Sequence, residues 1–396
     1  MSGRLLVVLS KLRYTANAIT PSNKLPPELL RAIFSYLCPW SYRDWGRKFI
    51  THYKELLAVS RVCRRWREIA VSATELWTHI ILGRSAPVKW EVSVARLCVR
   101  RSGVRPLDFS YTPTTGLNPL SAEELIPERG RLRSVCWYAD EAAGEELASF
   151  LLPTLRVERL EISGHGSFSL PTLFSGHAQC LRELVLSGCA YWPNNQFGSL
   201  TSLTLLHQGY PDAGIYSLLS AIRCSPHLEE LLLERAFRTT LEPQHPPERK
   251  IPLVPLHSLK RLHICRLSAR ATRRLLGALD LLPDGISMGF SSISSEFGSP
   301  FPEEIAPELS PRDATKIEII YPPLGGVILH TTNGVTHMRW AHQVYPACHR
   351  FFQWIVEKPH KAYPLKELWL QYRPRRLLRT STSPRFARLG DVDNRN

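Results

Sequence analysis

The chain has 396 residues, of which 44% are apolar and 21% are charged, and its formal net charge is +15. At about 150 residues per domain, this length predicts two or three domains or one long repeat array and excludes a single small fold. The apolar fraction excludes wholesale disorder, and no apolar run approaches the ~20 residues of a membrane-spanning helix, so no membrane span is expected.

The positive charge is concentrated at the two ends of the chain. Residues 1–80 contain 13 basic and 5 acidic side chains, and residues 371–396 contain 7 and 2, whereas residues 81–370 are nearly neutral with 30 and 28. The nine cysteines include no CxxC pair, which argues against a disulfide framework and a four-thiolate zinc site. A reducing compartment is therefore expected, cytoplasmic and/or nuclear, although the basic, acid-free start leaves a mitochondrial presequence open.

Two helical stretches are predicted after an N-terminus, residues 1–22, that is expected to be disordered. In residues 25–37, prolines stand at the start, and Leu29, Leu30, Ile33, Phe34 and Leu37 form one broad apolar face. Residues 54–72 continue the pattern up to Trp77. A helical unit of about 55 residues is near the lower limit for independent stability, so it is expected to need a neighbour.

A Leu-x-x-Leu-x-Leu spacing recurs from Trp77 onward. The strict copies begin at residues 181, 200, 228, 259 and 365, and weaker copies begin at residues 77, 104, 132, 157, 314 and 335. This spacing predicts leucine-rich repeats, in which each copy adds one parallel strand and segments such as residues 214–224 return as helices. The expected fold class is an α+β or α/β solenoid: a three-helix N-terminal unit followed by an irregular horseshoe of parallel strands. After residue 371 a disordered basic tail is expected.

Catalytic motifs are missing from the sequence: there is no phosphate-binding loop, nucleophile elbow or zinc-protease helix. We therefore expect no enzyme activity and no cofactor. His337, His342, Cys348 and His349 match no standard zinc spacing, so no metal site is expected. The basic ends accompany no nucleic-acid-binding motif, and no nucleic-acid partner is expected.

The helical unit has a specific motif. Leu25-Pro26-Pro27-Glu28-Leu29-Leu30 is followed by Val62-Cys63-Arg64-Arg65-Trp66 and then by Leu76-Trp77. This pattern closely resembles an F-box, and the whole organisation is similar to the large fungal group of F-box proteins with leucine-rich repeats. The predicted domains are an F-box at residues 23–82, a leucine-rich-repeat-like domain at 83–371 and the tail at 372–396. Residues 38–53 depart from the family, which has a short link there.

The resemblance implies docking on a Skp-type adaptor, which bridges to a cullin–RING core so that ubiquitin is transferred to a bound protein. The F-box residues that match the motif and are implied in this docking are Leu25, Pro26, Leu29, Ile33, Phe34, Leu37, Val62, Cys63 and Trp66. The chain would then be the substrate-recognition subunit of an SCF-type ubiquitin ligase.

The target would bind the strand residues that point away from the repeat core. These are Arg159, Glu161, Glu183, Val185, Thr204, Glu230, Leu232, Glu234, Arg261, His263, Glu367 and Trp369. Two other functions stay open. One is a leucine-rich-repeat interaction scaffold without a ligase role, and the other is a nucleic-acid or anionic-membrane binder that acts through the basic ends.

Overall fold

The computed structural model divides into two compact units, Met1–Ala139 with Thr154–Arg159 and Asp140–Pro153 with Leu160–Asn396. The residues that it describes are 2–36, 49–82, 88–112, 127–139, 147, 149–151, 156–170, 172–176, 178–191, 195–208, 214–237, 253–280, 287–291, 314–321, 326–331, 335–339, 367–372 and 387–388.

The first unit begins with helices and ends with strands. Its helices are α1 (Ser2–Ile19), α2 (Pro27–Ser35), α3 (Phe49–Val62), α4 (Arg64–Ser72) and α5 (Val88–Arg101), with a 3₁₀ turn at Thr74–Trp77. Its strands are β1 (His79–Leu82), β2 (Leu107–Tyr111) and β3 (Leu132–Ala139). β2 pairs in parallel with β1 on one side and with β3 on the other. The large side chains of Phe109, Tyr111 and Trp137 are buried in this unit.

The N-terminal segment is helical, which corrects the expectation of disorder over residues 1–22. α1 runs for 18 residues. It contains no proline, and its single glycine, Gly3, lies in the first turn, so nothing in its interior breaks the helix. Leucine, alanine, lysine and arginine, which make up half of α1, are all good helix formers.

The second helical stretch is divided in two at Cys63, where a single helix was expected over residues 54–72. Cys63 has an extended backbone (φ −154°, ψ 172°), and its sulfur accepts a hydrogen bond from the N–H of Trp66 at 3.4 Å. This contact caps the first turn of α4 in the way that a serine or asparagine commonly does. The break allows α3 and α4 to change direction relative to each other.

The second unit is built mainly from strands. Its helices are α6 (Gly214–Arg223) and α7 (Ala269–Leu276). Its strands are β4 (Arg159–Ser169), β5 (Glu183–Tyr191), β6 (Ser202–Leu206), β7 (Glu230–Glu234), β8 (Val254–Pro255), β9 (Arg261–Cys265), β10 (Leu279–Asp280), β11 (Ser287–Ser291), β12 (Ala314–Tyr321), β13 (Gly326–Thr331), β14 (Val335–Arg339), β15 (Glu367–Tyr372) and β16 (Ala387–Arg388). The main sheet of this unit has the order β4-β5-β6-β7-β9-β11-β14-β13-β12-β15-β16, and β8 pairs with β10 separately. None of the described helices is long and apolar enough to cross a membrane.

Four of the five strict repeat copies, those that begin at residues 181, 200, 228 and 259, become neighbouring parallel strands with their leucines in register. β5, β6, β7 and β9 pair in parallel in that order. Two rows of buried side chains run across these strands: Leu184, Leu203, Leu231 and Leu262 in one row, and Leu186, Leu205, Leu233 and Ile264 in the other. The predicted strands at these motifs are confirmed, as is the predicted helix at residues 214–224, where α6 forms.

The same turn closes β6, β7 and β9. Each strand is followed by a residue in the left-handed region, His207, Arg235 and Arg266, with φ of 50°, 48° and 54°. The His207 N–H donates to the Glu234 carbonyl at 2.8 Å, and the Arg235 N–H donates to the Cys265 carbonyl at 3.0 Å. A non-glycine residue in this conformation costs roughly 1–2 kcal/mol, so the repeated turn is maintained by the hydrogen bonds and packing around it.

The strand order changes after β11, which corrects the expectation that every copy adds the next parallel strand. β14, and not β12, pairs with β11, and β12, β13 and β14 form an antiparallel meander. Only four residues separate β12 from β13, and three separate β13 from β14. A parallel crossover needs about a dozen residues or more, so connections this short produce antiparallel neighbours. β13 was not predicted because it has no repeat motif.

The predicted boundaries at residues 22/23, 82/83 and 371/372 stay predictions. Residues 373–386 and 389–396 of the expected disordered tail lie outside the described residues. β16 pairs antiparallel with β15, with Leu370 opposite Ala387.

Candidate functional site

α2 has two apolar sides, and only one of them is covered. Leu30 and Phe34 are buried, whereas Leu29 and Ile33 are 51% and 46% exposed and Tyr36, just after the helix, is 82% exposed. Leu29, Ile33 and Tyr36 stand at i, i+4 and i+7, on one face of a helical turn. We call these three residues the α2 stripe. Tyr36 was absent from the predicted site, although its spacing from Leu29 could have identified it.

The buried side of α2 rests on α4. The rings of Phe34 and Trp66 lie 5.1 Å apart between centroids and are tilted by 54°. Phe34 is completely buried, so in this conformation its ring offers no area to a partner. Phe34 was predicted to contribute directly to docking; its place in the small core corrects that role, because the broad apolar face wraps around the helix and only part of it reaches solvent.

Two tryptophans in this region differ in what their indole N–H groups contact. The Trp77 Nε1 donates to the Ala70 carbonyl at 2.8 Å and so ties the end of the helical region to α4. The Trp66 Nε1 is buried and has no acceptor among the residues that the structure describes. Trp66 itself is partly exposed. Trp66 therefore lies at the edge of the core, next to the surface that α2 and α4 share.

The chain entering α2 is held by side chains from α4 and from the cap of α4. Arg65 Nη2 donates to the Leu25 carbonyl at 2.8 Å, and the Cys63 Sγ contacts Asn23 Oδ1 at 3.8 Å. Leu25 is half-buried and Pro26 is exposed. Arg65 thus holds the Leu25 backbone next to α2, and the docking role expected for Leu25 and Pro26 stays a prediction.

The end of α3 adds a further exposed apolar residue. Val62, one of the residues that the resemblance implies in docking, is 56% exposed. It borders an open groove of about 600 Å³ between α3 and α5. The groove is lined by Lys54, Leu57, Ala58, Arg61, Val62 and Trp90. Of the other predicted docking residues, Cys63 is partly buried as the cap of α4, and Leu37 lies outside the described residues.

A group of exposed arginines makes this surface basic. Arg64 contacts Glu68 at 2.8 Å, and this hydrogen bond is the main cause that raises the pKa of the Arg64 guanidinium above its usual value. Arg67 Nε donates to the Ser60 carbonyl at 2.9 Å. The arginines therefore stabilise the local backbone and also present positive charge around the apolar residues.

The helical region is joined to β1 by two hydrogen bonds and to α5 by a cation–π contact. The Tyr53 hydroxyl donates to the His79 carbonyl at 2.9 Å and accepts the Ile81 N–H at 2.8 Å. The Arg101 guanidinium lies 4.3 Å from the centroid of the Trp77 ring, within the range of a cation–π contact. α3 and the 3₁₀ turn are thereby fixed against β1 and α5.

The outward face of the strands is formed by side chains that alternate with the buried leucines. The burial alternates in β6, β7 and β9, so Thr204, Glu230, Leu232, Glu234, Arg261 and His263 are exposed or half-exposed as predicted. Glu183 is exposed and Arg159 half-exposed. Glu161 and Val185 are buried, which corrects the prediction that they face a target. Alternation fixes the side of the strand, but the neighbouring side chains decide whether water reaches it.

Charges on the outward face are paired across neighbouring strands. Arg261 of β9 contacts Glu230 of β7. At the two ends of the same strands, Lys260 contacts Glu229 at 2.8 Å, and Arg266 contacts Glu234 at 3.4 Å. We call β6, β7 and β9 with these pairs the strand face. The side chains of Glu367 and Trp369 lie outside the described part, but their backbones are in β15.

The imidazole of His263 lies against Gly289, the glycine of the neighbouring strand β11. A Cβ atom placed on Gly289 would be 2.8 Å from Cδ2 of His263. The glycine therefore allows the imidazole to lie against β11. Elsewhere in the described ranges, no three histidine, cysteine or carboxylate side chains come together as metal ligands would, and residues 342, 348 and 349 of the histidine- and cysteine-containing cluster fall outside those ranges.

Comparison with known proteins identifies the helical region. Residues 22–83 match the family described as F-box-like. No curated protein matches the chain. The match spans α2, α3, α4, the 3₁₀ turn and β1, and so contains the α2 stripe and the Phe34–Trp66 core. Residues 22–83 are therefore an F-box-like domain, and it is followed by a largely parallel sheet with helices.

Proposed function

We propose that this protein is the substrate-recognition subunit of an SCF-type ubiquitin ligase and performs no catalysis itself. The F-box-like domain docks a Skp-type adaptor, the adaptor links to a cullin–RING core, and the strand region holds a protein target. The observation that carries the proposal is the F-box-like match over residues 22–83, because an F-box-like domain implies binding to a Skp-type adaptor. The complex would work in the cytoplasm and/or the nucleus.

The α2 stripe supplies the anchors for the adaptor. α2 is fixed on its buried side by Phe34 and Leu30, so its exposed side is already ordered before a partner arrives. Exposed apolar residues at i, i+4 and i+7 are typical of a helix that binds in a hydrophobic groove. Full burial of one aliphatic or aromatic side chain is worth about 1.5–3 kcal/mol, so Leu29 and Ile33 are the expected energetic centre.

The strand region is proposed to be a leucine-rich-repeat array whose strand face binds the target. Three observations support this proposal: the motif leucines are buried in register, the strands run in parallel, and the same left-handed turn closes three successive strands. Mixed charges around a half-buried Leu232 are suited to a protein surface. The pairs Arg261–Glu230 and Arg266–Glu234 would exchange partners when a target binds.

Copurification of the full chain with a Skp-type adaptor tests the docking step. The double variant Leu29→Ser, Ile33→Ser removes two exposed anchors without touching the core. The matched control, Val104→Ser with Leu253→Ser, removes two residues that are 93% and 60% exposed and lie outside the F-box-like domain. We expect the docking variant to lose at least about tenfold in adaptor affinity and the control to bind like the wild type. A wild-type chain that does not bind the adaptor contradicts the proposal.

A second function, an interaction scaffold without a ligase role, is favoured by one specific observation. Tyr53 and Trp77 fix the helical region to β1 and α5, as they would if the helices only capped the strands. In that case the chain purifies as a stable monomer, ignores the adaptor, and loses stability when Tyr53→Phe removes both hydrogen bonds to β1. Adaptor binding by the wild type decides between the two functions.

A further inference from the structure

α1 is not used by the proposed function, although it exposes more large apolar side chains than any other described helix. Leu5, Leu12 and Ile19 are 63%, 62% and 70% exposed. Val8 and Leu9 are 54% and 45% exposed. An exposed apolar surface of this extent on a monomer marks a site of interaction with a protein or a membrane.

These residues lie on one side of the helix. Leu5, Val8, Leu9, Leu12 and Ile19 stand at i, i+3, i+4, i+7 and i+14, which the α-helical repeat of 3.6 residues places on a single face. We call these five residues the α1 stripe. Val7 and Tyr14 are also exposed, at 56% and 67%, but they lie on the opposite side of the helix. The stripe is therefore a long, narrow apolar face parallel to the helix axis.

The charges of α1 indicate what covers this face. The helix contains Arg4, Lys11 and Arg13 and no acidic residue, and the first acidic residue of the chain is Glu28. A second copy of α1 would bring like charges together with no carboxylate on either helix to pair with them. An anionic surface is complementary to the basic residues, and the acyl region beneath its headgroups would take up the stripe.

We propose that α1 lies in the plane of an anionic phospholipid bilayer, with the α1 stripe in the acyl boundary and the basic residues at the headgroups. The end of the helix is tied to the F-box-like domain, since Asn23 Nδ2 donates to the Asn17 carbonyl at 2.6 Å. Asn23 is buried and also contacts the Cys63 sulfur. Membrane binding therefore positions the F-box-like domain at the surface.

Binding of α1 to the membrane is expected to be reversible and to depend on both the α1 stripe and the basic residues. A single interfacial helix anchors less firmly than a membrane-spanning one, and its affinity depends on the buried apolar area together with attraction to anionic lipid. Each lysine or arginine near such a surface contributes roughly a factor of five in affinity. Removing Lys11 and Arg13 together is thus expected to weaken binding by a few tens of fold.

Cosedimentation of the full chain with vesicles tests the proposal. The probe is vesicles of phosphatidylcholine with phosphatidylserine, compared with phosphatidylcholine alone. The stripe variant is Leu5→Ser with Leu12→Ser, and the matched control is Val7→Ser with Tyr14→Ser, which has the same spacing of seven residues and similar exposure on the opposite face. We expect the stripe variant to lose at least about tenfold in binding and the control to lose much less. Lys11→Gln with Arg13→Gln should remove the preference for phosphatidylserine.

Several results would overturn the proposal. The wild type does not bind phosphatidylserine vesicles, or both double variants bind them equally. Alternatively, the stripe variant dissociates a dimer of the chain or abolishes adaptor binding while vesicle binding is absent, in which case α1 is a protein contact. Circular dichroism and the thermal midpoint of each variant verify folding, and no change is expected because the replaced side chains are exposed. Adaptor binding by the stripe variant stays at wild-type strength if the membrane and docking functions are separate.

Discussion

The α2 stripe and the strand face both reach solvent, but they differ in chemistry. The first exposes apolar side chains, and the second exposes charged side chains that are already paired. On the α2 stripe, Leu29, Ile33 and Tyr36 expose apolar surface beside a completely buried Phe34. On the strand face, Arg261 already pairs with Glu230 and Arg266 with Glu234. A partner that covers the α2 stripe is bound more favourably because apolar surface leaves water. A partner that covers the strand face has to replace the existing ion pairs with new ones.

This difference implies different kinds of binding. Apolar burial is strong and only weakly sensitive to salt, which is suited to a partner that is the same in every complex. Paired charges contribute less to affinity and more to the choice of partner, because a wrongly charged surface leaves them unpaired. The α2 stripe would thus gain affinity from apolar burial, and the strand face would gain specificity from its charge pairs.

The largest predicted effect compares the buried and exposed sides of α2 by their contributions to the free energy of unfolding. Phe34→Ala removes a fully buried ring that packs on Trp66, so we expect a loss of about 3–5 kcal/mol in the free energy of unfolding. Ile33→Ala, one residue earlier and exposed, should change it by less than about 0.5 kcal/mol. Urea unfolding followed by tryptophan fluorescence measures both. Equal losses would mean that α2 is not two-sided.

The next effect applies the same test to the strands. Leu231 is buried between Leu203 and Leu262, and Leu232 faces outward beside it. Leu231→Ala is expected to lower the free energy of unfolding by about 2–5 kcal/mol. Leu232→Ala should lower it by less than about 1 kcal/mol, because Leu232 is only half-buried. A larger loss for Leu232→Ala would place the core on the other side of the sheet.

A smaller effect distinguishes the two tryptophans of the helical domain. Trp77→Phe leaves the Ala70 carbonyl without its donor, and we expect a loss of about 1–3 kcal/mol in addition to the change in volume. Trp66→Phe removes the same indole N–H where it has no acceptor among the described residues, so only the change in volume remains. The difference between the two thermal or urea midpoints isolates the hydrogen bond; no difference would mean that Trp66 also donates one.

The smallest effect concerns the paired charges. The Arg261 and Glu230 side chains are 70% and 40% exposed, so their pairing should contribute no more than about 1 kcal/mol to stability. A double-mutant cycle with Arg261→Ala and Glu230→Ala measures this term, and added salt should reduce it. A coupling of several kcal/mol would show that the strand face is a rigid structural element and not an exchangeable surface.

The repeat spacing predicted the strands well because the spacing of the leucines depends only on the local geometry of a strand. Leucines two apart in a strand must both reach the core, and this requirement holds for Leu203 with Leu205 as it does for Leu231 with Leu233. Their order in space depends on the connections instead. β13 contains no repeat motif, and the short links on either side of it make the meander antiparallel, so a list of motifs could not predict the strand order.

The motif predicted which helices form the candidate site, but it did not predict which of their side chains are buried. The F-box motif identified α2 and α4, but Leu29 and Leu30 are adjacent in sequence and equally apolar, and only the packing of Phe34 on Trp66 decides which side is covered. Cys63 was expected only as a docking residue, whereas its sulfur also caps α4. Val185 was expected on the outward face from the alternation of the strand, and it is nevertheless buried.

The left-handed turn that closes β6, β7 and β9 has a consequence for how such a chain can change length. Because His207, Arg235 and Arg266 end their strands at the same level, the segment from one of these residues to the next is a self-contained module. Inserting or deleting one whole module would preserve the register of every remaining strand, whereas a change of a single residue within a strand would turn its leucines outward. Gene duplication could therefore add whole strands to the sheet while leaving the F-box-like domain unchanged.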